Sequence, residues 1–394
     1  MSVREDDVRS GRKPLYALIP LALLVGLIAV FALTNPLGGL KRTIPPVEEL
    51  TFNRVVLKEN PREIVVRVTN GGPDAVTVAQ VLVDEAYWAY TIEPSHEIGR
   101  LRSATIHLRY PWIEGEAHEV VVVSRNGVKF AHEIPVALAT PEVGARTLGT
   151  FALIGLFVGV IPVILGLAFF PFIRRLDRRW VNFLLALTAG LLVFLAVDAL
   201  AEAFEVAGDV PGAFQGIGLI TLGVIAALAA LYAIDAWARQ RRGDLSPLFV
   251  AALIALGIGL HNLGEGLAIG AAYALGEVGL TTFLVVGFML HNVTEGIGIV
   301  SPLARSRPTL RQLAGLGLLA GGPTIIGTWA GGVAYSPVAA VLFLSLGAGA
   351  IIQVVWEIGK LVRRETKTLA DPLIAVGFAA GILVMYLTGL AVAA

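Results

Sequence analysis

Two six-residue segments, His261-Asn262-Leu263-Gly264-Glu265-Gly266 and His291-Asn292-Val293-Thr294-Glu295-Gly296, each carry an imidazole and a carboxylate four residues apart. On a helix that spacing puts both groups on one face, aimed at one point. Both segments lie in strongly apolar stretches, where an ionisable group is costly enough to signal function. The chain has six histidines, and these two are the only ones beyond residue 140. With no cysteine present, His, Asp, Glu, Asn and Gln are the groups left to hold a cation. One buried His–Glu pair could serve only as a hydrogen bond between helices. Two copies favour a paired metal site of His261, Glu265, His291 and Glu295, with Asn262 and Asn292 one step round each helix.

Such groups need apolar helices to hold them. The chain is 394 residues long, 56% hydrophobic and 15% charged, too apolar for an ordinary soluble enzyme. Runs near the roughly 20 residues that cross a bilayer fall at about 15–34, 147–172, 181–204, 214–237, 248–270, 280–302, 311–334, 338–361 and 371–393. Nine spans are therefore expected. Arg174, Arg175, Arg178 and Arg179, then Arg239, Arg241 and Arg242, then Arg305, Arg307 and Arg311, then Lys360, Arg363, Arg364 and Lys367 fill alternate loops. The other loops, around Glu205–Pro211, Tyr273–Gly279 and Gly331–Pro337, hold no Lys or Arg. The positive-inside rule puts the basic loops in the cytoplasm, together with Arg4, Arg9, Arg12 and Lys13, and the C-terminus outside. The first run is longer than a signal core and no clear cleavage site follows it, so it reads as an uncleaved anchor. His261 and His291 then lie roughly 20 Å and 16 Å from opposite membrane edges, at 1.5 Å per residue. The two antiparallel helices can thus be related by a two-fold axis in the membrane plane.

Residues from about 45 to 140 differ. Alternating runs such as Glu63-Ile64-Val65-Val66-Arg67-Val68 and Ala104-Thr105-Ile106-His107-Leu108-Arg109 predict half-buried strands. Asn70-Gly71-Gly72-Pro73-Asp74, Tyr110-Pro111 and Arg125-Asn126-Gly127 supply turns. About seven strands in this length suggest an immunoglobulin-like β-sandwich outside the cytoplasm. The domains expected are 1–40 (N-terminus and transmembrane anchor), 41–142 (β-sandwich) and 143–394 (eight spans). The fold class is an all-α polytopic membrane protein carrying that sandwich. His96, His107, His118 and His132 lack metal-site spacing and read as ordinary strand or surface residues, with metal capture the lesser alternative.

Other intramembrane acids are few. Asp198 and Glu202, one turn apart in the third span, and Glu357 with Gln353 in the eighth, are candidates for an ion pathway. Glu357 could instead pair with Lys360. Asp235 and Glu277 look interfacial.

On the two H-N-x-x-E-G motifs and the topology, residues 147 to 394 resemble the ZIP (Zrt/Irt-like) divalent metal transporters, in particular their prokaryotic GufA-like branch. The resemblance implies an eight-helix bundle moving Zn²⁺ or a related ion towards the cytoplasm across a prokaryotic inner membrane. It implies His261, Glu265, His291 and Glu295 as primary ligands, with Asn262 and Asn292 supporting a second metal. The chain departs from the family pattern at Gly264 and Thr294, where Pro is usual. It also has Gly321-Gly322-Pro323 where a carboxylate often precedes Pro, and Leu192 near the place of a Met ligand.

Mixed His and carboxylate donors suit Zn²⁺, Fe²⁺, Mn²⁺, Co²⁺ or Cd²⁺. The ion enters as transported substrate, and neither a resident cofactor nor enzymatic activity is expected. An intramembrane zinc hydrolase is the rival from another class, although H-E-x-x-H is missing. A metal sensor without flux is the third reading. Expected partners are the ion and the lipid bilayer, with a second copy of the chain as a candidate; zero net charge gives no reason to expect nucleic acid.

Overall fold

The computed structural model describes residues 19–34, 47–242, 246–274, 278–366 and 371–393. Arg4, Arg9, Arg12, Lys13, Glu277 and Lys367 lie outside the described residues. The chain divides into two compact units, Met1–Val47 and Glu48–Ala394. In the first, helix α1 (Ile19–Thr34) runs for 16 residues, short of the roughly 20 that cross a bilayer. Nine spans are expected from sequence, whereas eight helices among the described residues have the length and apolarity to cross. The difference lies in this first run, whose expected start at 15 is outside the described residues.

The second unit begins with a β-sandwich. Its strands are β1 (Leu50–Glu59), β2 (Arg62–Asn70), β3 (Val76–Val83), β4 (Ala86–Tyr87), β5 (Tyr90–Glu93), β6 (Glu97–Ile98), β7 (Ser103–Leu108), β8 (His118–Ser124) and β9 (Lys129–Ile134). One antiparallel sheet has the order β1-β2-β7-β5, the other β4-β3-β8-β9 with β6 paired to β3. Alternation drives the packing: Ile64, Val66 and Val68 are buried while Arg67 between them is exposed. They meet Val78, Val81, Val120, Val122 and the buried Trp112 in one core. The Asn70 amide closes its turn by donating to Asp74 O at 2.7 Å and Ile98 O at 2.8 Å. Gly127, at φ +82°, supplies the left-handed residue of the β8–β9 turn. Nine strands are present where about seven are expected; β4 and β6 are two-residue edges, too short to show a period.

The helices follow: α2 (Ala145–Ile173), α3 (Arg178–Val206), α4 (Gly216–Arg242), α5 (Pro247–Ala274), α6 (Val278–Val300), α7 (Leu310–Ala334), α8 (Pro337–Thr366) and α9 (Pro372–Ala393). The molecule is mostly helical, with the architecture of a multi-pass membrane protein. Several helices start on a cap followed by Pro, whose missing N–H costs nothing in the first turn. Ser246 Oγ accepts from Phe249 N at 3.3 Å before Pro247, and Asp371 Oδ1 accepts from Leu373 N at 2.8 Å before Pro372. Thr309 and Gln312 form a reciprocal capping box at the start of α7.

Glycine sets how closely the helices approach, and it sorts them into two groups. A Cβ added to Gly166 (α2), Gly266 (α5) or Gly331 (α7) would fall within 3.0 Å of Val293 O (α6), Thr324 O (α7) or Leu267 O (α5). One added to Gly190 (α3), Gly381 (α9) or Gly349 (α8) would do the same against Phe378 O (α9), Leu187 O (α3) or Val224 O (α4). Helices α2, α5, α6 and α7 thus meet backbone to backbone, as do α3, α4, α8 and α9. Across the groups the approach is looser: Gly298 meets the Thr188 side chain, Gly257 that of Val354, and a Cβ on Gly347 (α8) would lie 3.0 Å from His261 Cα (α5).

The sandwich rests on the ends of the bundle whose connections, 207–215 and 335–336, hold no Lys or Arg. Arg54 donates to the carbonyls of Gly332 and Val333 at the C-terminus of α7, where the helix dipole favours a cation. Gly212 N, between α3 and α4, donates to Glu49 Oε1 at 2.6 Å.

Candidate metal centre

Each six-residue motif lies inside an uninterrupted helix, the first on α5 and the second on α6. Gly264 and Thr294 therefore produce no break. Thr294 Oγ1 donates back to His291 O at 2.6 Å, a local bond that helices tolerate with slight bending.

The helices bring together His261, Glu265 and His291, whose ligand atoms all lie within 4.8 Å of one another. All three are buried, at 6%, 4% and 5% exposure. The Nε2 of His291 is 2.6 Å from Glu265 Oε1, in hydrogen-bond geometry. The Nε2 of His261 lies 3.0 Å from the same oxygen, close enough to pair with it electrostatically but without hydrogen-bond geometry. Phe288 supports the His291 ring at 5.4 Å between centroids.

The asparagines act reciprocally. Asn262 Nδ2 donates to Glu295 Oε2 at 3.3 Å and to Ala320 O of α7 at 3.1 Å. Asn292 Nδ2 reaches Glu265 Oε2 at 3.4 Å and Val158 O of α2 at 3.0 Å. The second contact has a local cause. Residue 162 is Pro, so Val158 O, within a π-helical turn at Leu156–Val160, lacks the N–H four residues on that would close an α-helical turn. Asn292 supplies the missing donor. Gly266 against α7 and Gly296 against α2 repeat the exchange. Each motif thus treats its partners as the other does, the contact pattern of two elements related by a two-fold axis.

The carboxylates break this symmetry. Glu265 touches both imidazoles, whereas Glu295 Oε1 has no hydrogen-bond partner although the residue is buried. Asn262 Oδ1 and Asn292 Oδ1 are also buried without partners. Buried oxygens with lone pairs unsatisfied are costly to keep. Here they gather beside two imidazoles and a carboxylate, a donor set that suits a borderline divalent cation. Tetrahedral zinc with bonds of about 2.0–2.2 Å sets neighbouring ligand atoms roughly 3.3–3.6 Å apart, so the cluster is of the right size. Sequence reasoning passed over Thr324, whose buried hydroxyl also lacks a partner, because an isolated Thr in an apolar helix carries no signal.

The remaining candidates fall elsewhere. On α3, Asp198 is exposed and Glu202 half-buried, both within electrostatic reach of His261 and Glu265. Gln353 and Glu357 belong to a separate cluster between α4 and α8. There Gln353 Nε2 donates to Glu357 Oε1 at 3.2 Å, and Lys360 and Arg239 pair with Glu357. Asp235, expected to be interfacial, is 3% exposed in the same cluster, held by Arg239 at 2.9 Å and Lys360 at 3.5 Å. Packing of α4 against α8 buries it. A cavity of about 320 Å³ opens beside Glu357, with Arg174, Arg239 and Arg305 in its wall.

The sandwich histidines are dispersed. His107 pairs with Glu63, His118 with Asp84, His96 meets Tyr90, and His132 stacks on Phe52. Among the described residues, the one cluster of potential metal-binding groups is His261, Glu265 and His291. The chain matches no protein-family model and no curated protein.

Proposed function

We propose that the chain is a divalent-metal transporter of the ZIP (Zrt/Irt-like) type, with zinc the leading substrate. The observation carrying this reading is the convergence of two imidazoles and a carboxylate, buried in mid-helix, on one point between α5 and α6. A cation crossing hydrocarbon must exchange its water for fixed ligands and then leave them. His261, His291 and Glu265 are the primary ligands. Glu295 and the asparagine oxygens are the donors to which the cation passes next.

Release follows from the same chemistry. The 2.6 Å contact between His291 and Glu265 holds a proton where a metal bond would form, so binding and protonation compete. Asp198 and Glu202 line the approach from the sandwich end. Gln353 and Glu357 lie towards the basic end, where Glu357 must loosen its hold on Lys360 and Arg239 to meet a cation. The two glycine-joined groups supply the rigid bodies of alternating access, α2, α5, α6 and α7 moving against α3, α4, α8 and α9.

We assign the basic loops to the cytoplasm of a prokaryotic cell and the sandwich to the opposite side, on the loop charges. We also assign the sandwich to the immunoglobulin-like class; the orders β1-β2-β7-β5 and β4-β3-β8-β9, comparable to A-B-E-D and C′-C-F-G with β6 outside that pattern, support this reading.

The test is equilibrium dialysis of Zn²⁺ against the detergent-solubilised protein. Saturable binding that His261→Ala and His291→Ala each weaken supports the site. Undiminished binding in the double variant removes these residues from it.

A further inference from the structure

Metal transport through the bundle gives the sandwich no task, yet its first strand and the residue just before it reach both helix groups at once. Arg54, in β1, bonds the end carbonyls of α7, which belongs to the group holding both motifs. Five residues earlier, Glu49 accepts the amide of Gly212 in the α3–α4 connection, which belongs to the other group. The β2–β3 turn adds to this second anchor: a Cβ on Gly71 would come within 3.0 Å of Pro211. Between the anchors lies a cavity of about 740 Å³, roofed by β1 and β9 and floored by Asp209, Ala271, Ala274, Gly331 and Tyr335. Ala271 and Ala274 follow Glu265 on α5 by about 1.7 and 2.5 turns, so this cavity stands over the approach to the metal centre.

We propose that the sandwich is a built-in clamp on the mouth of the bundle, holding the two helix groups in one relative position until an anchor lets go. Three observations combine in this. Within each group an added glycine Cβ would fall 2.0–2.5 Å from a neighbouring helix's carbonyl, while across their interface backbone comes no nearer than 3.0 Å, at Gly347 against His261 Cα, a looser contact that slides more readily. The sandwich has its own closed core, so it acts as a rigid body. Its two anchors, Arg54 on two carbonyls and Glu49 on one amide beside the Gly71–Pro211 contact, are small enough to open without unfolding either partner. Movement of the groups past one another therefore requires Arg54 or Glu49 to release its carbonyl or amide. The proposal rests on the transport reading only for its flux readout; the clamp itself is a statement about distance.

The chain has no cysteine, so two introduced thiols can be labelled without background. Spin labels at Phe214→Cys, in the α3–α4 connection, and Ala334→Cys, at the end of α7, report the separation of the groups in the full-length protein in proteoliposomes. With both anchors intact the distance distribution is expected to be narrow. Arg54→Ala and Glu49→Ala are each expected to broaden it and to raise Zn²⁺ flux, while Arg54→Lys, which retains a cation for the carbonyls, restores the narrow form. Distributions identical in all four proteins would overturn the clamp. So would broadening accompanied by lower flux, because the sandwich would then be assisting movement. If no form carries metal, the transport reading fails, and the distance distributions alone decide the clamp.

Discussion

Glu265 is the residue on which the site turns, because its Oε1 faces both imidazoles while Glu295 faces neither. Glu265→Gln is therefore expected to weaken Zn²⁺ binding more than Glu295→Gln, and Glu277→Ala to leave it unchanged, as read by equilibrium dialysis. Equal losses at Glu265 and Glu295 would mean that the carboxylates share the ion symmetrically. Asn292 has a second duty to Val158 O, whose own helix offers no donor at Pro162. Asn292→Ala should lower bundle stability by about 1–3 kcal/mol, the cost of stranding a buried acceptor, measured as thermal unfolding in detergent. Asn292→Asp, keeping the shape without the donor, should be no better. The buried cluster of His261, Glu265 and His291 was legible in the sequence, since His and Glu four apart are costly to bury in an apolar run and two such pairs point to a shared task. The difference between Glu265 and Glu295 was not, because identical motifs are indistinguishable until their neighbours are known. The same holds for Asn292, as nothing local says that α2 and its Pro162 lie opposite.

Among the elements, the spans from α2 to α9 were legible because apolar length is a strong signal, and Ser246-Pro247 and Asp371-Pro372 mark starts that caps enforce. The burial of Asp235 was not foreseen. Its i, i+4 partner Arg239 was visible in the sequence, but its burial comes from α8, which is distant in the chain. In the sandwich, β2 and β7 declared themselves by alternation, while β4 and β6 exist only through pairing to β3. His132, on β9 and stacked on Phe52, has its pKa lowered by burial, with Asp209 opposing. Below the ordinary value of 6.5 the unfolded chain binds a proton there that the folded chain does not, so stability rises with pH through this range. The sandwich should accordingly lose stability as pH falls from about 7 through the mid-6 region, followed by tryptophan fluorescence, and His132→Phe should remove that part of the dependence. A pH response unchanged in His132→Phe would place its origin elsewhere. Asp84 acts lower on the scale. Burial raises its pKa, but hydrogen bonds from Glu119 N, Tyr110 and His118 outweigh this and hold it below 3.8; its contribution is lost only as pH falls through that lower value.

At the scale of the molecule, sequence separated an anchor, a sandwich and a bundle by composition, whereas the structure places sandwich and bundle within one compact unit from Glu48 onward. Their joining could not be read in advance. Arg54 looks like any outward-facing strand residue until the carbonyls at the end of α7 are set against it. The division of the helices into two groups was likewise hidden, because glycines are spread through every span and only their partners sort them. The proposed transport makes one demand on the whole molecule: a cation held by His261, His291 and Glu265 would also have to cross. The most direct measurement is Zn²⁺ flux into proteoliposomes, compared with Mn²⁺, Fe²⁺ and Cd²⁺, for the wild-type protein and the His261→Ala/His291→Ala variant. Selective, saturable flux that disappears in the double variant is the expected result. Binding at the site with no flux in the wild type would contradict transport, and would make the chain a membrane metal sensor or hydrolase instead.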